Sequence, residues 1–479
     1  MSITSDEVNY LIYRYLQESG FQHSAYTFAC ESLIGRANIN GAEVEPGSLI
    51  TYIQQGLLYS EIENHITNDG KLVSGCNEPF SLLKHHSCKQ PGKDEVKSTA
   101  ESAQIMLQNA EIIANEHLAV LAGHTNEVCM CSWSPEGSMI ASGSADGTCR
   151  LWNMPTGMSS QASKTAGGGQ PIILQHGDAM SAECDVTAIS WSPNGTMMAT
   201  GCSDGCGRLW DRSGQLMQLL RGHQGPVFTT KFSPSGARLL TASVDKSVMV
   251  WNPQSGEVEG RFMVHEEPLL DADWRNDTSF ASCSTDRNIV VCAMDQSQPV
   301  ATFRGHQKEV NAIKWDPSGS LLASCSDDCT AKIWSVQLSK PLADFTEHTG
   351  QVYCCVWRPV SLSSTGGNGT PGGSTAAKFL ATASFDASVR MWDVESGKCA
   401  MALLAHADPV YTLSFSPDGN LLASGSFDRS VLIWDMRSGT LLKKVETEGG
   451  VWEVDWSPRG DRVAFCDAKY QVGCFDIRM

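Results

Sequence analysis

Short stretches of alternating apolar and polar residues run through the last three quarters of the chain, over residues 123–479. They are rich in Val, Ile, Thr and aromatic residues, and clusters of Gly, Pro, Asp and Asn separate them. A period of two over about four to eight residues places successive side chains on opposite faces of an extended strand. The pattern therefore predicts a mainly β protein whose many short strands are joined by tight turns.

A longer pattern recurs along the same residues with a period of about 41 residues, the length of one compact structural unit. A His is followed nine residues later by an aromatic residue, and then by a Ser or Thr, an Asp four residues further on, and a closing Trp. Four copies keep all of these positions, with His124, Asp146 and Trp152; His223, Asp245 and Trp251; His306, Asp328 and Trp334; and His406, Asp428 and Trp434.

The other copies depart from the pattern. The second has extra residues between its His and its aromatic residue, and the fourth has Cys292 in place of the closing Trp. The eighth is degenerate, with Thr447, Phe465 and Lys469 at the His, Ser/Thr and Asp positions. Two connections, residues 159–170 and 361–378, are rich in small and polar residues, which predicts disordered surface loops.

Copies of this length, with four strands each and a Trp-Asp signature, resemble the WD-repeat β-propeller. The resemblance implies eight blades over residues 116–479. The eighth copy ends three residues after Asp476 and so lacks an outer strand. Because an open ring would expose an edge strand, we expect residues 116–122, with their apolar Leu118, Val120 and Leu121, to supply the missing strand.

Each copy also holds the components of a hydrolytic triad, such as Ser142, His124 and Asp146 in the first. The same trio recurs in seven copies, whereas catalysis needs one site. In WD-repeat proteins these residues form a buried hydrogen-bond network with the closing Trp, and the resemblance implies that role here. The sequence shows no P-loop, dinucleotide-binding or zinc motif, and the cluster His85–Cys88 lacks a fourth metal ligand. We therefore predict neither an enzyme nor a cofactor nor a metal site.

Propellers bind partners through loops on one face of the ring. In WD-repeat proteins the frequent contact positions lie beside the first Val of the inner strand or just before the turn Asp. Here aromatic residues concentrate at those positions in copies six to eight, and exposed aromatic clusters are typical binding hot spots. The alternative is that the rings pack against each other and the channel wall. The predicted partner face consists of Phe228, Tyr353, Phe385, Tyr411, Phe427 and Trp452.

Residues 4–33 predict two short helices, each with an apolar stripe at helical spacing. Helices this short cannot bury their apolar faces alone, which favours pairing with a second copy over docking on their own propeller. Residues 1–38 resemble the LisH dimerisation motif, residues 39–70 resemble an F-box-like helical segment, and residues 71–115 are predicted to be a polar linker. The LisH resemblance implies an oligomerisation surface formed by Leu11, Ile12, Tyr15, Leu16, Phe21 and Phe28.

The formal net charge of the chain is −18. Such acidity disfavours direct binding to nucleic acid or to an anionic membrane, and it favours basic partners such as histone tails. The alternative is that the charge only keeps a large protein soluble. No signal peptide or apolar span is present, and 18 cysteines without zinc spacing predict free thiols in a reducing compartment.

The order of LisH motif, F-box-like segment and eight WD repeats resembles the transducin β-like subunits of nuclear corepressor complexes. The segments YLQESGFQHSAYTF and LITYIQQGLLYSEIE carry this resemblance most closely. It implies a non-catalytic scaffold in the nucleus that self-associates through its N-terminus and binds corepressor and histone deacetylase proteins. It also implies a propeller that contacts histones and recruitment of the ubiquitin machinery.

A second class of function stays open, that of a substrate receptor of a cullin–RING ubiquitin ligase. The seventh copy ends in Trp434-Asp435-Met436-Arg437, which resembles the Trp-Asp-x-Arg docking box of WD-repeat receptors. Asp435 and Arg437 would then contact the ligase adaptor. Asp476 and Arg478 match the same box less closely. The alternative is an ordinary strand end with a surface ion pair.

Overall fold

A computed structural model of the protein describes residues 5–18, 28–29, 32, 44, 48–49, 51–52, 107, 110–114, 117–154, 170–177, 184–359 and 378–478. The chain divides into two compact units, Met1–Thr99 and Ala100–Met479. Several predictions concern residues outside the described ranges: Phe21, the cluster His85–Cys88, almost all of residues 39–106, and the loops at 159–169 and 361–377.

Among its described residues, the first unit contains one long helix, α1 (Ser5–Glu18), which is the first of the two predicted helices. Of the second predicted helix, Phe28, Ala29 and Ser32 are described, and the amide of Ser32 donates to the carbonyl of Phe28 at 2.9 Å, as in a helical turn. Within the described residues, no helix is both long enough and apolar enough to cross a membrane.

The second unit is an eight-bladed β-propeller, which confirms the predicted fold class. Two strands precede the first blade, β1 (Glu111–Ile112) and β2 (Leu118–Leu121). Blades 1 to 4, each from its inner to its outer strand, consist of β3 (Val128–Trp133), β4 (Met139–Ser144), β5 (Thr148–Asn153) and β6 (Ile172–Gln175); β7 (Val186–Trp191), β8 (Met197–Cys202), β9 (Cys206–Asp211) and β10 (Leu216–Arg221); β11 (Val227–Phe232), β12 (Leu239–Ser243), β13 (Val248–Trp251) and β14 (Val258–Phe262); and β15 (Leu269–Asn276), β16 (Ser279–Ser284), β17 (Asn288–Ala293) and β18 (Ala301–Arg304).

Blades 5 to 8 follow the same antiparallel order, and the eighth takes its outer strand from the other end of the chain. Their strands are β19 (Val310–Trp315), β20 (Leu322–Ser326), β21 (Ala331–Trp334) and β22 (Ala343–Phe345); β23 (Val352–Trp357), β24 (Phe379–Ser384), β25 (Val389–Asp393) and β26 (Lys398–Leu403); β27 (Val410–Phe415), β28 (Leu421–Ser426), β29 (Ser430–Asp435) and β30 (Thr440–Glu446); and β31 (Val451–Trp456), β32 (Arg462–Asp467), β33 (Val472–Asp476) and β2.

The ring closes where the two ends of the propeller meet. Strand β2 pairs antiparallel with β33, with Leu118 opposite Phe475, so residues 116–122 do supply the missing outer strand of blade 8. On the inner side, the amide of Trp133 in blade 1 donates to a carboxylate oxygen of Asp455 in blade 8 at 2.8 Å. Blade 8 is therefore complete only when both ends of the propeller are in place.

A fifth strand extends blade 7. The short strand β1 pairs parallel with β30, with Glu111 opposite Lys443 and Ile112 opposite Lys444. The ammonium group of Lys443 lies 3.1 Å from the carboxylate of Glu111, and the neighbouring Ile113 is buried in the core between blades 7 and 8. The end of the stretch assigned to the polar linker is thus held against the side of the propeller, because its apolar residues reach the blade core.

A buried hydrogen-bond network joins the repeated polar residues inside the blades. In blade 7, His406 Nδ1 lies 2.8 Å from Asp428 Oδ2, and His406 Nε2 lies 2.8 Å from Ser424 Oγ. The indole nitrogen of Trp434 donates to the same hydroxyl at 2.9 Å. Blades 1, 3, 5 and 6 contain the same three contacts. These recurring triad residues are therefore buried parts of the blade rather than exposed reactive groups.

The turn Asp also stabilises a backbone conformation that most residues avoid. In blade 6, Asp386 Oδ1 accepts a hydrogen bond from the amide of Ser388 at 2.9 Å, while its Oδ2 binds His348. The intervening Ala387 has a φ of 63°, in the left-handed region, which costs about 1 kcal/mol for a residue with a side chain. One carboxylate thus anchors both the network and the turn at the end of the blade.

We expect Asp428→Asn to weaken the propeller in a pH-dependent way. Burial raises the pKa of Asp428, but hydrogen bonds from His406 and Ser430 outweigh that effect and lower it to about 2. A lowered pKa stabilises the fold above the unfolded-state pKa of about 4, and this contribution is lost as the pH falls towards 2. The variant should lose about 2 kcal/mol of unfolding free energy at neutral pH and should depend less on pH below about 4.

Urea unfolding at neutral pH and at about pH 3 measures both effects. Glu395→Gln, which removes an exposed carboxylate from a turn of blade 6, is the control and should behave as the wild type. An Asp428→Asn variant with the stability and acid sensitivity of the wild type would show that the network contributes nothing measurable.

Candidate partner-binding face

Predicted partner-face residues lie at one end of the blades, where each inner strand begins. Tyr411 follows Val410 at the start of β27, and Val410 pairs with Ser426, the residue before Phe427. The same register in blade 6 brings Tyr353 beside Phe385, because Val352 pairs with Ser384. We call this end of the ring the upper face.

Five of the six predicted aromatic residues form one continuous group on the upper face. The ring of Tyr411 is central, with centroids 5.2 Å from Tyr353, 5.1 Å from Phe385, 5.4 Å from Phe427 and 5.1 Å from Trp452. Most of these contacts are tilted or edge-on, as the charge distribution of aromatic rings favours. We call Tyr353, Phe385, Tyr411, Phe427 and Trp452 the five-ring cluster.

The five-ring cluster combines mutual packing with exposure, and its role in binding stays a prediction. Tyr353 and Phe427 are 46% and 44% exposed, whereas Phe385, Tyr411 and Trp452 are half-buried. Burial raises the pKa of Tyr353 and of Tyr411, so both phenols stay neutral at physiological pH. A packed base with two exposed rings is a preorganised apolar surface, which is typical of binding hot spots.

Phe228 is not part of this cluster. It occupies the matching position at the start of β11 in blade 3 and is 41% exposed. Its equivalents in the neighbouring blades are Thr187 and Leu270. The position alone therefore does not create a cluster, which needs aromatic residues in consecutive blades.

The channel wall next to the cluster carries charged residues. Glu453 follows Trp452 on the inner strand of blade 8, and burial, then the charge of Asp455, raise its pKa to about 8. Burial also raises the pKa of Asp455 to about 7. Burial lowers the pKa of Lys314 on blade 5, but the charges of Asp273 and Asp271 outweigh this effect and raise it.

The acidic residues of blade 4 tie three blades together at this wall. Asp271 lies 2.9 Å from the ammonium group of Lys231 on blade 3 and accepts from the amide of Ile313 on blade 5 at 3.2 Å. Asp273 accepts from the amide of Trp315, also on blade 5, at 2.8 Å. Sequence analysis did not identify this group, although its alternating Asp and Lys on successive inner strands were a visible signal.

The predicted docking pair, Asp435 and Arg437, differs in its contacts from the similar pair Asp476 and Arg478. Asp435 accepts from the amide of Arg437 at 2.9 Å and from the hydroxyl of Ser438 at 2.9 Å, which stabilises the turn after β29. The guanidinium of Arg437 is exposed and donates to Asn420 at 3.3 Å. By contrast, the guanidinium of Arg478 donates two hydrogen bonds to the carboxylate of Asp476.

Residues of the predicted oligomerisation surface lie on α1 and just beyond it. Leu11, Ile12 and Leu16 are half-buried, Tyr15 is 38% exposed, and Phe28 is half-buried. On the same helix, Arg14 and Glu18 form an ion pair at 3.1 Å, one turn apart. The helix therefore carries apolar residues that are only partly buried.

Family profiles match both parts of the chain. The LisH family matches residues 6–32, and the family described as WD domain, G-beta repeat matches residues 115–153, 175–211, 214–252, 297–335, 339–393 and 397–435. The matched WD segments are copies 1, 2, 3, 5, 6 and 7. The fourth copy lacks the closing Trp and the eighth lacks the polar network residues, yet both fold as blades.

Similar proteins cover the whole chain. The F-box-like/WD repeat-containing protein TBL1X of Mus musculus is 43% identical over 542 residues, which is 100% of both chains. The WD40 repeat-containing protein HOS15 of Arabidopsis thaliana is 33% identical over 619 residues, also 100% of both. Among solved structures, the C-terminal WD40 domain of Sif2 has a TM-score of 0.65 at 21% identity and covers 77% of this chain and 99% of its own, which supports the fold alone.

The fold and the LisH motif define a class of protein, that of WD-repeat scaffolds and adaptors. Within that class, the chain belongs to the family of F-box-like/WD repeat-containing proteins that includes TBL1X. This finding confirms the resemblance to transducin β-like proteins.

Proposed function

We propose that this protein is the scaffold subunit of a nuclear corepressor complex, which holds a corepressor and a histone deacetylase through its N-terminal unit and a chromatin ligand through its propeller. Its similarity to TBL1X extends through both units, which supports one shared architecture. A yeast relative, 25% identical over 377 residues, is named as a SIR4-interacting protein, which is consistent with an adaptor role.

Self-association is the proposed task of α1. A helix of 14 residues is marginal on its own in water, so its apolar residues need a partner. Leu11, Ile12 and Leu16 are the side chains that a second copy would cover, with Tyr15 at the rim. Pairing of two chains would also bring two propellers together and raise the effective concentration of binding sites for a repetitive ligand.

For the propeller, the proposed function is that the five-ring cluster binds a basic histone tail. Aromatic faces attract ammonium and guanidinium groups by about 0.5–2 kcal/mol each. The net charge of −18 further attracts a basic chain and speeds its association. A tail that lies across blades 6 to 8 would meet the exposed rings of Tyr353 and Phe427 first.

Phe427→Ser should weaken binding of a histone-tail peptide at least tenfold, since hot-spot aromatic residues contribute about 1.4 kcal/mol or more. Phe228→Ser is the matched control, because Phe228 is equally exposed but lies outside the cluster, and its affinity should stay within about twofold of the wild type. Fluorescence anisotropy with labelled N-terminal tail peptides measures both affinities. Equal losses of affinity in the two variants, or no loss in either, would show that the five-ring cluster is not the binding site for the tail.

The second candidate function is that of a ubiquitin-ligase substrate receptor. The observation that favours it is the exposed guanidinium of Arg437. Asp435 holds the turn through two hydrogen bonds and leaves that guanidinium facing solvent, as a docking residue requires. The corresponding Arg478 is already bound by Asp476. A scaffold that recruits the ubiquitin machinery could use the same box, so the two functions are compatible.

Arg437→Ala should abolish co-purification of a cullin-ligase adaptor from cell extract while leaving the affinity for histone-tail peptide unchanged. Arg478→Ala is the matched control at the equivalent position of the last blade and should retain any adaptor that the wild type binds. Quantitative mass spectrometry of the purified complexes reads out the result. Adaptor recovery that is the same in all three proteins would eliminate this docking box.

A further inference from the structure

A hydrogen-bond latch recurs at the upper face of six blades. The Ser that ends the second strand donates its hydroxyl to a carbonyl in the loop that leads into the inner strand. In blade 1 this bond joins Ser144 to Asn126 at 3.1 Å, and in blade 7 it joins Ser426 to Asp408 at 2.9 Å. The same bond occurs in blades 3, 4, 5 and 6. The latch fixes the upper loop of each blade to its inner turn.

The latch has a constant place in the blade, although its two residues are 17 positions apart in blade 4 and 34 in blade 6, where a long connection intervenes. In blades 1, 3, 5 and 7 the two residues are 18 positions apart. Blade 8 keeps this spacing with a different donor and acceptor, because the amide of Gly449 donates to the carboxylate of Asp467 at 3.2 Å. The chemistry of the latch therefore varies while its position does not.

Blade 2 has two cysteines at this position. Cys202 replaces the Ser at the end of β8, and Cys184 lies 18 residues before it, at the place of the carbonyl partner. The structure places their sulfur atoms next to each other, with the Cα atoms 6.0 Å apart, which is a separation that a disulfide can bridge. The prediction of free thiols agrees with the other 13 described cysteines, which are free, and Cys184 and Cys202 are the described pair that could depart from it.

Blade 2 has also lost part of its polar network. His176 Nδ1 lies 3.1 Å from the carbonyl of Leu174 instead of the turn Asp. The carboxylate of that residue, Asp204, pairs with Arg208 at 2.7 Å. Blade 2 therefore has neither the Ser latch nor the His–Asp bond, and its upper loop keeps a weaker substitute, in which the amide of Asp185 donates to the hydroxyl of Ser203 at 2.8 Å. A covalent link between Cys184 and Cys202 would replace the two bonds that this blade has lost.

We propose that Cys184 and Cys202 form a reversible redox latch that takes the place of the Ser latch in blade 2. Oxidation fixes the upper loop to the turn through a covalent bond, and reduction leaves two thiols whose hydrogen bonds are weak. Cys184 is 5% exposed and Cys202 is fully buried, so exchange with the solvent requires local opening of the loop. The bond thus responds to sustained changes in redox conditions rather than to brief ones.

Hydrogen peroxide is the oxidant in this scheme. One thiolate takes an oxygen atom from peroxide, which yields a sulfenic acid and hydroxide. The second thiolate attacks that sulfur, so the sulfur–sulfur bond forms as the sulfur–oxygen bond breaks and a second hydroxide leaves. The two thiols lose two electrons and two protons in total, and peroxide becomes two waters. A dithiol reverses the reaction through two exchange steps.

Peptide mapping and thermal unfolding of the full chain test this latch. Cleavage after Trp191 separates the two cysteines, so a link between the fragments reports the disulfide directly. We expect the link in peroxide-treated wild type and expect dithiothreitol to remove it and to lower the unfolding midpoint by about 2 °C or more.

Cys202→Ser is the decisive variant, because it restores the residue that six other blades carry. Its unfolding midpoint should not respond to dithiothreitol and should equal or exceed that of the reduced wild type. Cys184→Ser should also be insensitive, whereas Cys206→Ser, which removes a free thiol of the same blade, should respond as the wild type does.

Three outcomes would overturn the latch. Free thiols at both positions after peroxide treatment would show that the bond does not form. A dithiothreitol response that persists in Cys202→Ser would place the redox effect elsewhere. Asp204 lies close enough to both sulfur atoms to complete a set of metal ligands, so one zinc ion per chain that protects both thiols from alkylation would assign the pair to a metal site instead.

Discussion

Closure of the ring is the constraint on which the rest of this molecule depends. Blade 8 takes three strands from the end of the chain and its outer strand β2 from the residues before the first repeat. The amide of Trp133 completes the inner seam by donating to Asp455. Because Trp452 lies on that same blade, the five-ring cluster has its full composition only in the closed ring.

Within the closed ring, each blade repeats the same few positions but fills them with different chemistry. The position that holds Ser426 in blade 7 holds Cys202 in blade 2 and Asp467 in blade 8. The position after the inner-strand Val is Thr187 in blade 2 and an aromatic residue in blades 6 to 8. The buried network keeps the backbone constant, so single positions on the upper face can change without changing the fold. Function therefore resides in how the blades differ.

The repeat pattern, together with its resemblance to the WD-repeat propeller, was sufficient to predict the fold, its eight blades and the strand that closes it. Each of these follows from short-range chemistry, such as the Asp that shapes a turn or the apolar residues of Leu118–Leu121 at strand spacing. The five-ring cluster was also predictable, because its residues share a register that repeats with the blades. Phe228 lies apart from the cluster, because Thr187 and Leu270 occupy its position in the two neighbouring blades, and its place in the partner face stays a prediction.

Other features depend on contacts between distant segments and had no local signal. The pairing of Glu111–Ile112 with the outer edge of blade 7 could not be predicted, because the sequence does not show which strand edge is left unpaired. Cys184 and Cys202 keep the 18-residue spacing of the latch, but that spacing has a meaning only once the Ser latches of the other blades are known.

In the proposed scaffold, one chain joins a deacetylase-binding N-terminal unit to a ligand-binding propeller. This arrangement is tested most directly by affinity purification from nuclear extract, with the full chain compared with a chain that lacks residues 1–70. This deletion lies within the first unit and leaves the second complete. We expect a corepressor and a histone deacetylase to purify with the full chain and to be absent from the sample of the truncated chain, while histones remain bound to both. A cullin and its adaptor that persist on truncation, with no deacetylase in either sample, would contradict the proposed scaffold.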